Sequence, residues 1–92
     1  MEVGKIKLED VLTIVKLAHR VHMETEHYVG INFSNWGHGV MIYVMEGGFN
    51  SKKKYSFAEY FSFYDPYSEE RDIRTYCKIK DYLKGLLSDK NV

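Results

Sequence analysis

Histidine supplies the first chemistry to weigh. His19 and His22 stand three residues apart and Glu26 follows His22 by four, so a helix would bring all three to one face. Imidazoles and a carboxylate at that spacing can hold a divalent cation, with His27 as a further donor, and a small metal-dependent enzyme would be built on His19 and His22. The plainer account is an amphipathic helix with His22 at its packed edge and His19 in water. No partner that would orient either imidazole is identifiable, so no metal ligand is assigned.

Nucleophilic chemistry has less support. Cys77 stands beside Tyr76 on an apolar stripe, where a small buried thiol serves as filler. The serines lack the strained G-x-S-x-G turn, and no nucleophile, base and orienting group can be assembled. Gly37-His38-Gly39 and Gly47-Gly48 connect strands, so turn geometry accounts for them better than phosphate binding does. The expectation is a non-enzymatic chain with no catalytic residue and no cofactor.

Binding chemistry is better represented. Lys52, Lys53 and Lys54 precede Tyr55, and lysines bordering a sheet with open tyrosines can hold single-stranded nucleic acid. The plainer account, and the favoured one, is a solubilising triplet that guards a strand edge. Thirteen basic residues balance thirteen acidic ones, without the basic excess of most nucleic-acid binders. The outlying quantity is aromatic content, 15% with eight Tyr and five Phe, enough ring area to offset chain entropy and exclude disorder.

The elements that position these residues follow from periodicity. Residues 8–26 read as a helix: Glu9, Thr13, Lys16, Arg20 and Glu24 form a polar stripe opposite Leu8, Val11, Leu12, Val15, Ala18 and His22, flanked by Ile14, Leu17 and Val21. So wide an apolar arc predicts burial over more than half the circumference. Residues 28–34 alternate strictly, with Val29, Ile31 and Phe33 against Tyr28, Gly30, Asn32 and Ser34. Residues 40–46 are apolar on both faces, as a central strand would be, and 55–64 form a third strand ended by Asp65-Pro66. Ser68 reads as the N-cap of a second helix over 68–87.

Ninety-two residues make one domain, of order αβββα. The predicted fold class is α+β, a three-stranded antiparallel sheet with two flanking helices. If both helices cover one face, the other carries Tyr28, Asn32, Tyr43, Tyr60 and Tyr64. Rigid amphipathic rings among methionine and small polar groups make a recognition surface, for a protein partner or a second copy. The single cysteine excludes an intramolecular disulfide and a four-cysteine zinc site. Met1–Lys7 has no apolar leader, and no apolar run approaches the ~18 residues of a membrane span, so a cytoplasmic location without a membrane partner is expected.

The hairpin with Ile31-Asn32-Phe33-Ser34 and Ile42-Tyr43-Val44-Met45-Glu46-Gly47-Gly48, followed by a Lys- and Tyr-rich helix ending Lys80-Asp81-Tyr82-Leu83-Lys84-Gly85-Leu86-Leu87, resembles small phage and prophage proteins. Some anti-CRISPR and other anti-defence proteins are similar in their helix–three strands–helix order. The resemblance implies an accessory or inhibitor protein that binds a host protein, and it assigns no residue. The even charge balance departs from the acidic, DNA-mimicking members.

Overall fold

The computed structural model describes residues 6–34, 39–62 and 69–89. Chain order is α1 (Leu8–Glu24), β1 (Tyr28–Ser34), β2 (Gly39–Met45), β3 (Phe57–Ser62) and α2 (Glu69–Asp89), the αβββα architecture that periodicity predicts. The strands form one antiparallel sheet in the order β1-β2-β3. Both helices lie on the same side of it. The core joins Val11, Ile14, Leu17, Ala18 and Val21 of α1 to Tyr76, Ile79, Leu83, Leu86 and Leu87 of α2, over Val40, Ile42 and Val44 of β2 and Phe61 of β3. The thinnest extent of the molecule, 17 Å, accommodates one helix layer on one sheet and no third layer.

Local chemistry sets the element ends. In place of a Ser or Thr cap, the Asp10 carboxylate accepts the Lys7 N–H at 2.9 Å, satisfying one of the free amides of the first turn. Thr25 stops α1 two residues before the sequence predicts. Its backbone is extended (φ −133°, ψ 174°), and its hydroxyl donates to the Val21 carbonyl and accepts the His27 N–H. The third strand is shorter than 55–64. Ser56 N–H donates to the Val44 carbonyl while Phe57 pairs with Val44, so two residues stand opposite one. That is the arrangement of a β-bulge, which starts regular pairing only at Phe57. Residues 63 and 64 and the predicted cap Ser68 lie outside the described residues.

The helix α1 is rotated from the orientation its sequence suggests. Val11, Ile14, Leu17, Ala18 and Val21 are buried, whereas Leu8 is 71% and Leu12 45% exposed, and Val15 is half-buried. One helix can press only one sector of its circumference against a sheet and a neighbouring helix. The sector in use is centred on Ile14, which is fully buried.

Two tyrosines tie α2 to the sheet. Tyr76 meets Phe61 edge-on (5.8 Å, 85°). Burial pushes its phenol pKa up, and the nearby Asp10 carboxylate adds to that. Tyr82 stacks on Phe57 with 4.1 Å between ring centroids and donates its hydroxyl to Glu46. Burial first, then the bond to Glu46, hold its pKa well above the ordinary 10.0.

Both phenols titrate higher in the folded chain than in the unfolded one, so the stability they confer is complete below about pH 10 and falls as pH rises toward their raised values. Urea melts across the alkaline range should show that loss, and Tyr82→Phe, which keeps the stack with Phe57, should reduce it. Placing a charge at the centre of the α1 contact, Ile14→Asp, should unfold the domain, whereas Lys16→Asp on the exposed face should cost less than about 1 kcal/mol in a thermal melt.

Candidate interaction surface

The pairing register decides what faces away from the helices. Val29, Val44 and Phe57 form one helix-facing row; Ile31, Ile42 and Glu59 form the next, and Phe33, Val40 and Phe61 the third. Strict alternation then assigns the intervening rows to the opposite face: Tyr28 with Met45, Gly30 with Tyr43 and Ala58, and Asn32 with Met41 and Tyr60. No described helix covers this second face.

Two aromatic rings lie across glycines on it. A Cβ on Gly30 would stand 2.1 Å from a ring carbon of Tyr43, its direct partner on β2. A Cβ on Gly39 would stand 2.2 Å from the Tyr60 hydroxyl. Each ring therefore occupies the space a neighbouring side chain would need, and shields backbone that glycine leaves bare. The Asn32 amide donates to the Tyr43 hydroxyl at 3.0 Å and fixes the outer end of that ring.

The connection between β2 and β3 extends the aromatic surface. Gly47 and Gly48 take φ of 87° and 113°, which L side chains rarely adopt, and Gly48 N–H closes the turn onto the Met45 carbonyl. Gly47 N–H donates to His27 Nδ1 at 3.0 Å, so the neutral His27 ring carries its proton on Nε2. The Asn50 side chain accepts the Lys52 N–H, and Asn50 N–H reaches the sulfur of Met45, which is buried. The loop thereby sets Phe49 edge-on to Tyr28 at 5.2 Å and Tyr55 against Tyr43 at 5.0 Å. Phe49, Tyr28, Tyr43 and Tyr55 form a continuous chain of rings, with Tyr28 and Tyr43 6.4 Å apart.

Four of the predicted surface residues, Tyr28, Asn32, Tyr43 and Tyr60, share this face; Tyr64 lies outside the described residues. Lys52, Lys53 and Lys54 are exposed on the loop that carries Phe49 and Tyr55. Phe49 and Tyr55 escape sequence reasoning. Alternation from Phe57 would put Tyr55 on the helix side, and the bulge at Ser56 reverses it. A clue for Tyr43 does exist, since a glycine among strand residues marks a place where another group comes close.

The other candidates do not converge. His19, His22 and Glu26 are exposed, and His27 is engaged by Gly47. Among the described residues no three His, Cys, Asp or Glu side chains are grouped so as to hold a metal ion. Cys77 is exposed, against the expectation of a buried filler. The buried line of α2 runs through Tyr76, Ile79 and Leu83, and the one-residue step to Cys77 turns about 100° away from it. Among the described residues no helix is long and apolar enough to cross a membrane. No family, curated protein or solved structure matches this chain.

The glycine–ring contacts can be tested directly. Gly30→Ala should displace the Tyr43 ring and cost about 1–3 kcal/mol, as overpacking does. In the double variant with Tyr43→Ala the penalty should shrink, giving a coupling measurable by denaturant melts. Gly85→Ala, in an exposed helical position with nothing near its would-be Cβ, should instead stabilise by about 0.5–1 kcal/mol.

Proposed function

We propose that this chain works by binding rather than by catalysis, docking a protein partner on the open sheet face. One observation carries this reading: Tyr28, Tyr43, Phe49, Tyr55 and Tyr60 are gathered on the side of the sheet away from both helices. Phe49, Tyr55 and Tyr60 remain substantially exposed there. Large rings held by neighbours lose little conformational freedom on binding, and they dominate the energetics of protein interfaces. Asn32, Met41 and Ala58 between them supply a hydrogen-bonding group, an adaptable side chain and a flat centre. The element order resembles that of phage accessory and inhibitor proteins, and a host protein as the partner suits that resemblance.

A second reading rests on the loop. Lys52, Lys53 and Lys54 are exposed beside Tyr55, which joins the ring chain, so cations border aromatic faces as in single-strand nucleic-acid binders.

Cross-linked capture from host lysate, followed by affinity measurement with the purified partner, separates the two. On the protein reading, Tyr60→Ala weakens binding by ~2 kcal/mol beyond the modest stability it loses by uncovering Gly39, and Ala58→Arg blocks the centre of the face while its thermal melt stays close to the parent. On the nucleic-acid reading, replacing the three lysines by serine abolishes retention of single strands, and retention falls steeply with salt. Binding that ignores Tyr60→Ala, Ala58→Arg and the lysine replacements alike would exclude this face.

A further inference from the structure

The two edges of the sheet are finished differently. At the β3 edge Glu59 is an inward-pointing charge, paired with Lys78 of α2 at 2.6 Å, and the Asp72 carboxylate accepts the Ser62 N–H. Inward charges and covered amides are the means by which proteins keep edge strands from pairing. At the other edge β1, Tyr-Val-Gly-Ile-Asn-Phe-Ser, contains no charge and no proline, and no described strand pairs with its outer side.

The helix layer also stops short of this edge. Val40, Ile42 and Val44 of β2 are fully buried, while Val29 and Ile31 of β1 are half-buried and Phe33 is 61% exposed. On α1, Asp10 and Thr13 act on Tyr76 of α2. Helical spacing turns Leu8, Leu12 and Val15 to the flank of α1 away from Thr13 and α2. Leu8 and Leu12 there are exposed, while Val15 packs partly against the core.

We propose that two copies of this chain associate about a twofold axis, β1 pairing antiparallel with β1 of the second copy at Ile31. The strand is complementary to itself in that register. Ile31 meets its own equivalent and Val29 meets Phe33, all on the helix side, while Gly30 meets Asn32 on the open side. Apolar groups stay with apolar groups and no like charges meet. A slip of one residue would set each face of one copy beside the opposite face of the other. The joint runs ~23 Å along seven residues, with Leu8, Leu12 and Val15 of each α1 closing over it. The product is a six-stranded sheet on which the two open aromatic faces become one, whether or not that face serves the partner proposed above.

Sedimentation of the full chain across a concentration series tests this. A concentration-dependent dimer is expected, weakened at least tenfold by Leu12→Lys or Phe33→Lys. Both side chains are exposed in the single copy, so thermal melts at low concentration should barely change. Tyr60→Ala should leave the dimer intact. In a Cys77→Ser background, Ile31→Cys should form an intermolecular disulfide on mild oxidation, because directly opposite antiparallel residues hold their Cα atoms about 4.5–5.5 Å apart, within the reach of a disulfide. A chain that stays monomeric at every concentration overturns the proposal. So does a dimer that tolerates both lysine variants but is lost with Tyr60→Ala.

Discussion

Everything in this fold depends on one-sided cover. Two helices bury Val40, Ile42 and Val44 of the middle strand completely, and they do so from the same side. A three-stranded sheet is narrow, and two helices side by side cover all of one face except the β1 margin, so the apolar drive to cover the second face with further chain is small. That second face must be kept from water by its own side chains. Glycine on one strand and tyrosine on the next achieve this, because a ring laid on bare backbone covers area that a standing side chain would leave open.

The loop from Glu46 to Ser56 serves both sides of the sheet. On the helix side Glu46 accepts the Tyr82 hydroxyl, and Tyr82 in turn stacks on Phe57. On the open side Phe49 and Tyr55 complete the row of rings. Between them the buried sulfur of Met45 and the ring of His27 accept backbone amides of the loop, so a long connection behaves as part of the sheet. The arrangement of the candidate surface therefore depends on Met45 and His27.

Much of this was legible in the residues. Alternation over 28–34 fixes which side chains of β1 share a face, and a middle strand apolar on both sides is visible in Val40–Met45. What alternation cannot reveal is a place where it breaks: the extra residue at Ser56 moves Tyr55 to the other face, and only the pairing shows it. Helix orientation was illegible for a different reason. Leu8, Leu12 and Val15 are as apolar as Val11 and Ile14, and what separates them is the position of α2, which periodicity does not encode. Cys77 leaves the buried stripe because only residues three and four apart share a helix face, whereas Tyr76 and Cys77 are adjacent. The gathering of tyrosines depended on both helices choosing one side, which the sequence leaves open.

The helices that share the core are the first and last of the described elements. As the chain emerges from the ribosome, α1 and the hairpin are complete while Ile79, Leu83 and Leu86 are still inside the tunnel or unmade. Until α2 arrives, Ile14, Val21 and Phe61 have only part of their packing, and an uncapped, half-covered sheet is the kind of intermediate that chaperones bind. Closing the core requires contacts between residues some sixty to seventy positions apart, so its assembly waits on the end of translation of this domain. The β1–β2–β3 meander can form early from local pairings, but it acquires its stable side only with the last helix.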